Sequence, residues 1–329
     1  MIDTHTLTDR FGRVHTSVRI SVTDRCNLRC AYCMPAKGMK FLPRAEVLDF
    51  EDLAFAAKVL ASLGVKSVRI SGGEPLVRKD LPEFVRMLRE AGTTKVAMTT
   101  NALLLKRHAA ELKDAGLDRL NISLDSLDPR RFEKITRNGH LQKAWEGLEE
   151  AIAVGFSPIK INTLVLKGFN EDEIERWVEL VQERELIVRF MELMPIGEDD
   201  LKDVGSYFDL TALRKELTAK HGLVPATDTH VGNGPAKYWK APGWKGALGF
   251  ITPMSQSYCA TCSRLRLTCT GKLRACLAYD EDVDLGPALR ARDEDAARGL
   301  ILKALAEKKA GHPWNEGVRT IMGMSEIGG

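Results

Sequence analysis

Cys26, Cys30 and Cys33 crowd three thiols into the stretch RISVTDRCNLRCAYCMP (19–35), and this CxxxCxxC run is the chain's densest concentration of chemistry. Thiolates this close on a short loop can wrap a polynuclear iron-sulfur centre, which is held by cysteine sulfur and tuned by its surroundings. Three ligands leave one iron open to another partner. Zinc competes for such a loop, but a closed structural zinc site takes four protein ligands. The nearest histidine downstream is His108. A disulfide does not suit an odd set of neighbouring thiols in a chain whose start lacks a secretory pattern.

A second set follows far downstream, Cys259 and Cys262 in CATC, then Cys276, with Cys269 between them. Here spacing does not choose: a zinc completed from outside, or one using Cys269, fits as well as a second cluster. Between the two sets lies SGGEP (71–75). Gly72 and Gly73 would let backbone approach a ligand closely, and the Glu74 carboxylate can accept from an ammonium group. Taken alone it reads as a turn.

These groups need a scaffold, and apolar periodicity supplies one. Helices are expected over 49–63, 80–91 with an Asp cap, 103–115, from Pro129, then on to Gly155, and over 171–183. Between them fall strand-like runs RISV, VKSVRI (65–70), KVAMTT (95–100), 118–124, IKINTLVL (159–166) and LIVRFMEL (186–193). Six strands alternating with helices imply parallel pairing with right-handed crossovers, hence a doubly wound sheet or a full or partial barrel. In either, ligands gather at the strands' carboxyl ends. Asp24, Ser71 to Glu74, Thr99 to Asn101, Ser123, Asp125, Glu192 and Met194 all sit there. From Gly197 the pattern changes to a helix over 209–220, then Gly/Pro-rich short strands and turns with Tyr238, Trp239, Trp244 and Phe250. Gly232 and Gly234 read as a turn, and a last helix is expected from 287 to 309.

At 329 residues, 44% hydrophobic and 28% charged, the composition is that of a soluble globular protein. No run approaches a membrane span, and the first residues show no signal peptide, so a cytoplasmic location is expected. A net charge of +3 argues against a protein built to coat nucleic acid. The seven histidines are scattered and read as surface or capping residues.

With Tyr32 just before its third cysteine, the CxxxCxxC run resembles the signature of the radical S-adenosylmethionine (radical SAM) superfamily, where SAM chelates the open iron. SGGEP behind it matches that superfamily's motif for the SAM amino group. Over its whole length the chain resembles the GTP 3′,8-cyclase family, which opens molybdenum cofactor biosynthesis. The match is carried by RISVTDRCNLRCAYCMP, RISGGEPL, MTTNALLL, NISLDSLD, VRFMELMPIG, MSQSYCATCSRLRLT, GKLRACL and the terminal GG.

The resemblance implies a partial (β/α)6 TIM-like barrel over 1–196 and a C-terminal α+β extension over 197–329. Cys26, Cys30 and Cys33 would bind a first 4Fe-4S cluster and SAM, with Tyr32, Gly72, Gly73, Glu74, Ser123 and Met194 around the SAM. Cys259, Cys262 and Cys276 would bind a second 4Fe-4S cluster facing the guanine, leaving Cys269 as a buried small hydrophobe. Arg19, Arg69, Thr99, Lys160, Arg264 and Arg266 would hold GTP, and a triphosphate does want converging guanidinium donors. A 5′-deoxyadenosyl radical would take hydrogen from C3′, after which C3′ attacks C8. Arg266 would assist the closing reduction, and Gly328 and Gly329 would thread toward the active site. Implied partners are a reductant such as flavodoxin and the downstream cyclic pyranopterin monophosphate synthase, with room for a homodimer.

Two positions depart from the family. Ser67 replaces a frequent triphosphate lysine, leaving Lys66 or another residue to supply the charge. Ala102 replaces the usual glycine after Thr-Asn, implying an altered turn. The rivals are a radical SAM peptide-modifying enzyme, which would need a peptide-docking module, and a non-catalytic iron-sulfur carrier, which would bind neither SAM nor GTP.

Overall fold

Period-two burial organises the molecule. In both SVRIS segments the valine and isoleucine are buried while serine and arginine take the other face. The protein is described by a computed structural model covering residues 6–197, 201–202, 204–227 and 234–328. Its first part runs β1 (Ser17–Ser21), α1 (Phe50–Ser62), β2 (Ser67–Ser71), α2 (Leu81–Glu90), β3 (Lys95–Thr100), α3 (Leu105–Asp114), β4 (Arg119–Ser123), α4 (Pro129–Thr136), α5 (Leu141–Ala153), β5 (Ile159–Leu164), β6 (Leu166–Lys167), α6 (Ile174–Glu183) and β7 (Leu186–Met191). There follow β8 (Ser206–Tyr207), α7 (Leu210–His221), β9 (Val224–Pro225), β10 (Lys237–Lys240), β11 (Ala247–Ile251), β12 (Arg264–Leu267), β13 (Lys272–Arg274), β14 (Val283–Asp284), α8 (Gly286–Arg290), α9 (Glu294–Ala306) and α10 (Met324–Ile327).

The six expected strands pair in parallel as β1, β2, β3, β4, β5 and β7. What the sequence did not announce is that the C-terminal region finishes the same sheet. Strand β12 adds in parallel beside β1, and β11 beside β7. Strands β13 and β14 then continue antiparallel at one end, β10 and β9 at the other. An open parallel sheet exposes unpaired edges, and these additions cover both. ALGFI is too short to show a period of its own against Gly/Pro-rich surroundings, which is why it reads only among short strands and turns, and RLRL, beside the second cysteine set, is assigned no strand from the sequence.

On the outer face Val18, Ile20, Val68, Ile70, Val96, Met98, Leu120, Ile122, Ile161 and Val188 join one core with Leu53, Leu60, Phe84, Leu88, Leu112, Leu148 and Trp177 of the helices. Each such side chain contributes about 1.5–3 kcal/mol. Asp49, Asp128 and Asp293 cap α1, α4 and α9 through their carboxylates.

Several local expectations need correction. Asp80 stands before α2 in a left-handed conformation and its side chain makes no cap hydrogen bond. The last helix is two, α8 and α9, broken where Arg292 turns left-handed and Asp293 starts a new cap. His15 is fully buried against Asp9, not a surface residue. Ala102 keeps a left-handed conformation, φ 63°, so the turn a glycine would make is preserved at some steric cost. Gly232 lies outside the described residues.

Candidate active site

The sheet's inner face gathers the polar residues. Register places Arg266, Arg19 and Arg69 side by side across β12, β1 and β2. Further along, Thr99, Asn121 and Lys160 are neighbours across β3, β4 and β5, as are Asn162 and Arg189 across β5 and β7. Lys160 and Arg189 are each only 6% exposed. Opposite Arg189, Gly249 leaves room: a Cβ there would lie 2.8 Å from Arg189 Cγ and 3.0 Å from the Tyr238 ring. Lys160 Nζ donates to the Tyr238 hydroxyl at 3.2 Å, and Arg189 Nε donates to Asn162 Oδ1 at 2.8 Å.

This interior is electrostatically strained. Burial, then repulsion from Arg266, Arg69, Arg264 and Arg189, holds Arg19 well below the usual guanidinium range. Arg69 is pulled down to about 9 by burial and Arg189, and Arg266 to about 10 by burial and Arg264. Lys160 is lowered by burial despite Tyr238. One buried nitrogen of Arg69 and one of Arg266 have no hydrogen-bond partner in the protein. Stacked, desolvated cations with unmet donors are arranged for a polyanion. Ser67 shares this face, whereas Lys66 is exposed and of opposite parity, so it does not stand in the arginine row.

At the carboxyl ends of β1 and β2 the first cysteine loop is locked by backbone. Gly73 N donates to Thr23 O at 2.7 Å and Glu74 N to Arg25 O at 2.8 Å. A Cβ on Gly72 would meet Thr23 O at 2.6 Å, and one on Gly73 would meet Arg25 O at 2.4 Å. The close approach these glycines permit is thus to the chain's own cysteine loop. Glu74 accepts from Thr100 Oγ1 and Asn101 N, both at 2.7 Å, and from Leu76 N at 3.1 Å. That fills about three of its four lone-pair sites, and burial raises its pKa to about 7. Tyr32 donates its hydroxyl to Asp125 Oδ2 at 2.7 Å, and Asp125 Oδ1 takes Leu164 N. Burial pushes Asp125 to about 6. Ser123 lies two residues before Asp125, at the end of β4. All three thiols are pushed up by burial, Cys26 to about 11 and Cys33 to about 12, and Cys30 is raised further by Cys33 and Asp125.

The second set has different company. Burial raises Cys276, but at Cys262 burial is outweighed by Arg264 and Lys308, which lower its pKa. An Arg264 nitrogen lies 3.8 Å from Cys262 Sγ, and its guanidinium sits 5.0 Å from the Tyr258 ring centre. Met194 packs here, with Cys276, Trp314, Met324 and Ile327, on the C-terminal side of the sheet. Cys269 is buried, and none of the seven cysteines is in a disulfide. Among the described residues no three His, Cys, Asp or Glu side chains converge on a single-ion site.

The tail ends inside. Ser71 Oγ donates to Gly328 O at 2.8 Å and Arg19 Nη1 to the same oxygen at 3.2 Å. Asp280 helps deliver it by accepting from Ile321 N and Met322 N. Gly329 lies outside the described residues.

Sequence reasoning missed Arg189, Tyr238 and the buried Lys308. Arg189 was findable: in LIVRFM it sets a charge into the near-continuous apolar run of a buried parallel strand, where charges are rare. Tyr238 carried no such signal, because its strand follows a loop.

Residues 20–181 match the model of the radical SAM superfamily, and 186–314 match that of Molybdenum Cofactor Synthesis C. The chain is 46% identical over 325 residues to a GTP 3′,8-cyclase of Pelotomaculum thermopropionicum, covering 98% of this chain and 99% of that one. A GTP 3′,8-cyclase of Petrotoga mobilis is 43% identical over 329 residues, with 98% and 99% covered. Among solved structures, Streptococcus suis SuiB bound to S-adenosylmethionine superposes with a TM-score of 0.59 at 16% identity, covering 88% of this chain and 65% of SuiB. That likeness shows the fold.

Proposed function

Since the chain belongs to the GTP 3′,8-cyclase family of the radical SAM superfamily, we propose that its arginine-lined interior binds GTP between two cysteine-held clusters. The reaction is the family's: a lyase step converting GTP to (8S)-3′,8-cyclo-7,8-dihydroguanosine 5′-triphosphate, the first of molybdenum cofactor biosynthesis. The donor set of Cys26, Cys30 and Cys33 fits a 4Fe-4S cluster, which with SAM supplies a 5′-deoxyadenosyl radical for the C3′ hydrogen.

The observation that carries the substrate reading is the row of Arg266, Arg19 and Arg69 with orphaned buried donors. A triphosphate relieves their mutual repulsion and takes their unmet hydrogen bonds. Arg189 and Lys160 extend the cradle, with Arg189 in the part Ser67 cannot play; Thr99 and Arg264 complete it. Tyr32, Gly72, Gly73, Glu74, Ser123 and Met194 are assigned to SAM. Here Gly72, Gly73 and Glu74 act largely by holding the cysteine loop in place. Gly328 closes the interior beside Arg19, the tail residues Gly328 and Gly329 are assigned to the active site, and Arg266 serves the final reduction. Exclusion of water by this packed face protects a radical from side reactions.

Cys259, Cys262 and Cys276 are proposed to hold a second 4Fe-4S cluster. What supports this reading is that the three thiols lie close enough for Cys259 and Cys262 to act on Cys276, a cysteine-only donor set of the kind that holds such clusters. The division into 1–196 and 197–329 is one of function, since both parts build the same sheet. Seven unpaired cysteines suit the reducing cytoplasm, where a flavodoxin-like reductant and the cyclic pyranopterin monophosphate synthase would be partners. Among the described residues no helix is long and apolar enough to cross a membrane.

Anaerobic equilibrium dialysis with GTP, GDP and guanosine tests the cradle. Affinity is expected to fall stepwise as phosphates are removed, and Arg69→Ala is expected to flatten that ladder. Equal binding of GTP and guanosine contradicts the assignment.

A further inference from the structure

The second cysteine set is held from behind by two buried cations to which neither the sequence reading nor the family resemblance gives a role. Arg13 comes from an N-terminal hairpin pinned by the bridge of Thr8 to Val14. Within it Asp9 Oδ1 accepts from Phe11 N at 2.9 Å and Arg13 N at 3.1 Å, while Oδ2 accepts from Arg13 Nε at 2.6 Å and meets His15 Nε2 at 3.0 Å. The Arg13 side chain is 6% exposed and that of Asp9 fully buried. With Nε fixed, the terminal nitrogens reach across the chain. Nη1 donates to Cys259 O at 2.9 Å and Ala310 O at 3.0 Å, and Nη2 to Lys309 O at 2.8 Å. Lys308, 3% exposed, donates Nζ to Arg264 O at 3.2 Å and to Ala275 O.

The carbonyls so captured are not scattered. They belong to Cys259 itself, to Arg264 two residues after Cys262, and to Ala275 one residue before Cys276. Each ligand-bearing segment is therefore tied to one of two cations, and the cations are linked through adjacent residues, Lys308 and Lys309. A surface arginine pair would add little to stability. A buried guanidinium with three carbonyl acceptors and an orienting carboxylate costs much to assemble, and once satisfied such a network makes the local backbone rigid. Charge points the same way, since Arg13 and Lys308 bring positive charge behind thiols that must bind metal as thiolates.

We infer that Arg13, oriented by Asp9, and Lys308 are positioning residues that lock the Cys259, Cys262 and Cys276 segments into register for their cluster. The inference rests on the assignment of those cysteines to a cluster, and it makes the N-terminal hairpin part of the second site although it lies some 246 residues from Cys259 in sequence.

The test uses the full chain with Arg13→Ala, Arg13→Lys, Asp9→Asn and Lys308→Met. Two readouts are taken: iron content after anaerobic reconstitution, and alkylation rates of each cysteine in the iron-free chain, followed by mass spectrometry. In Arg13→Ala the expected result is at least about tenfold faster alkylation at Cys259, Cys262 and Cys276, because hydrogen bonds to a charged group that restrain local opening are lost. Cys26, Cys30 and Cys33 should keep their wild-type rates. Reconstituted iron should fall from roughly eight to roughly four atoms per chain, with SAM cleavage retained. Arg13→Lys, which keeps charge but not the fork, should behave like Arg13→Ala. Unchanged alkylation at the second set in Arg13→Ala and Lys308→Met overturns the lock, whatever the iron content. A wild type holding only about four irons, in which Arg13→Ala still exposes the second set, supports the lock and removes the second cluster instead. If Arg13→Ala speeds both sets alike, Asp9→Asn and Lys308→Met decide: selective exposure of the second set supports the lock, and equal exposure overturns it.

Discussion

The two cysteine sets are alike in number and differ in surroundings. Cys26, Cys30 and Cys33 are all pushed upward, first by burial, with the buried carboxylates Glu74 and Asp125 adding to it. In the second set burial likewise raises Cys276, but Cys262 lies beside Arg264 and Lys308 and is pulled down. Surrounding charge sets what a metal centre can do: negative neighbours disfavour an added electron and positive ones favour it. A site that must donate an electron to split SAM gains from the first setting. The second setting would suit the centre proposed for Cys259, Cys262 and Cys276 beside an anionic nucleotide. The lesson is that two sets of three cysteines are distinguished by neighbours that the sequence does not place beside them.

The largest effect that would sharpen this contrast comes from removing ligands one set at a time. Cys30→Ser should abolish SAM cleavage, whereas Cys262→Ser should leave SAM cleavage measurable and lower cyclised product by more than about a hundredfold, since an interaction made only with substrate is lost. Parallel assays of 5′-deoxyadenosine and product check this. Loss of both activities in Cys262→Ser would erase the functional distinction.

Next in size is the cradle between the sets. Arg189→Ala should weaken GTP about 10- to 100-fold, because charge-assisted hydrogen bonds contribute about 1.5–3 kcal/mol each. Lys66→Ala, on the exposed face, should leave GTP affinity within about twofold, as surface charges usually do. Dialysis against labelled GTP measures both.

The acidic character of the first set also predicts a pH dependence. Asp125 and Glu74 have folded pKa values of about 6 and about 7, above their ordinary 3.8 and 4.5. The folded state therefore holds more protons than the unfolded chain, and these groups cost stability as pH rises from about 4 to about 7. Asp125→Asn, which can still accept from Leu164 N and donate to Tyr32, should flatten that fall by up to roughly 3 kcal/mol. Urea midpoints at pH 4.5 and pH 7.5, in wild type and variant prepared alike, read it. A slope unchanged in the variant would remove Asp125 from the contrast.

The smallest expected effect is at the tail. Ser71→Ala removes one hydrogen bond to Gly328, worth about 1 kcal/mol, and should reduce product formation only about fivefold while SAM cleavage persists.

Much of this was legible in the chain. The six parallel strands followed from strand-like runs alternating with helices that stop at glycines, and Arg19, Arg69 and Lys160 stood out as charges set in those runs. Cys269 became the leftover cysteine through the family resemblance, since spacing alone left a zinc site using it open, and it is buried. Less could be read where the cause is tertiary. RLRL and ALGFI become parallel strands only because two sheet edges need partners. Gly72 and Gly73 were legible as sites of close approach, but that the approaching group is Thr23 to Arg25 depends on the fold. His15 reads as a surface or capping residue, and Arg13 draws no attention, because the carbonyls and carboxylate that bury them are either local side-chain geometry or hundreds of residues away.

The most direct test of the whole assignment is isotopic. Anaerobically reconstituted protein is given dithionite, SAM and GTP deuterated at C3′, and 5′-deoxyadenosine is examined by mass spectrometry. Deuterium should appear in 5′-deoxyadenosine, dependent on GTP and lost in Arg69→Ala at low substrate. SAM cleaved without deuterium transfer would contradict GTP as the substrate held by this cradle.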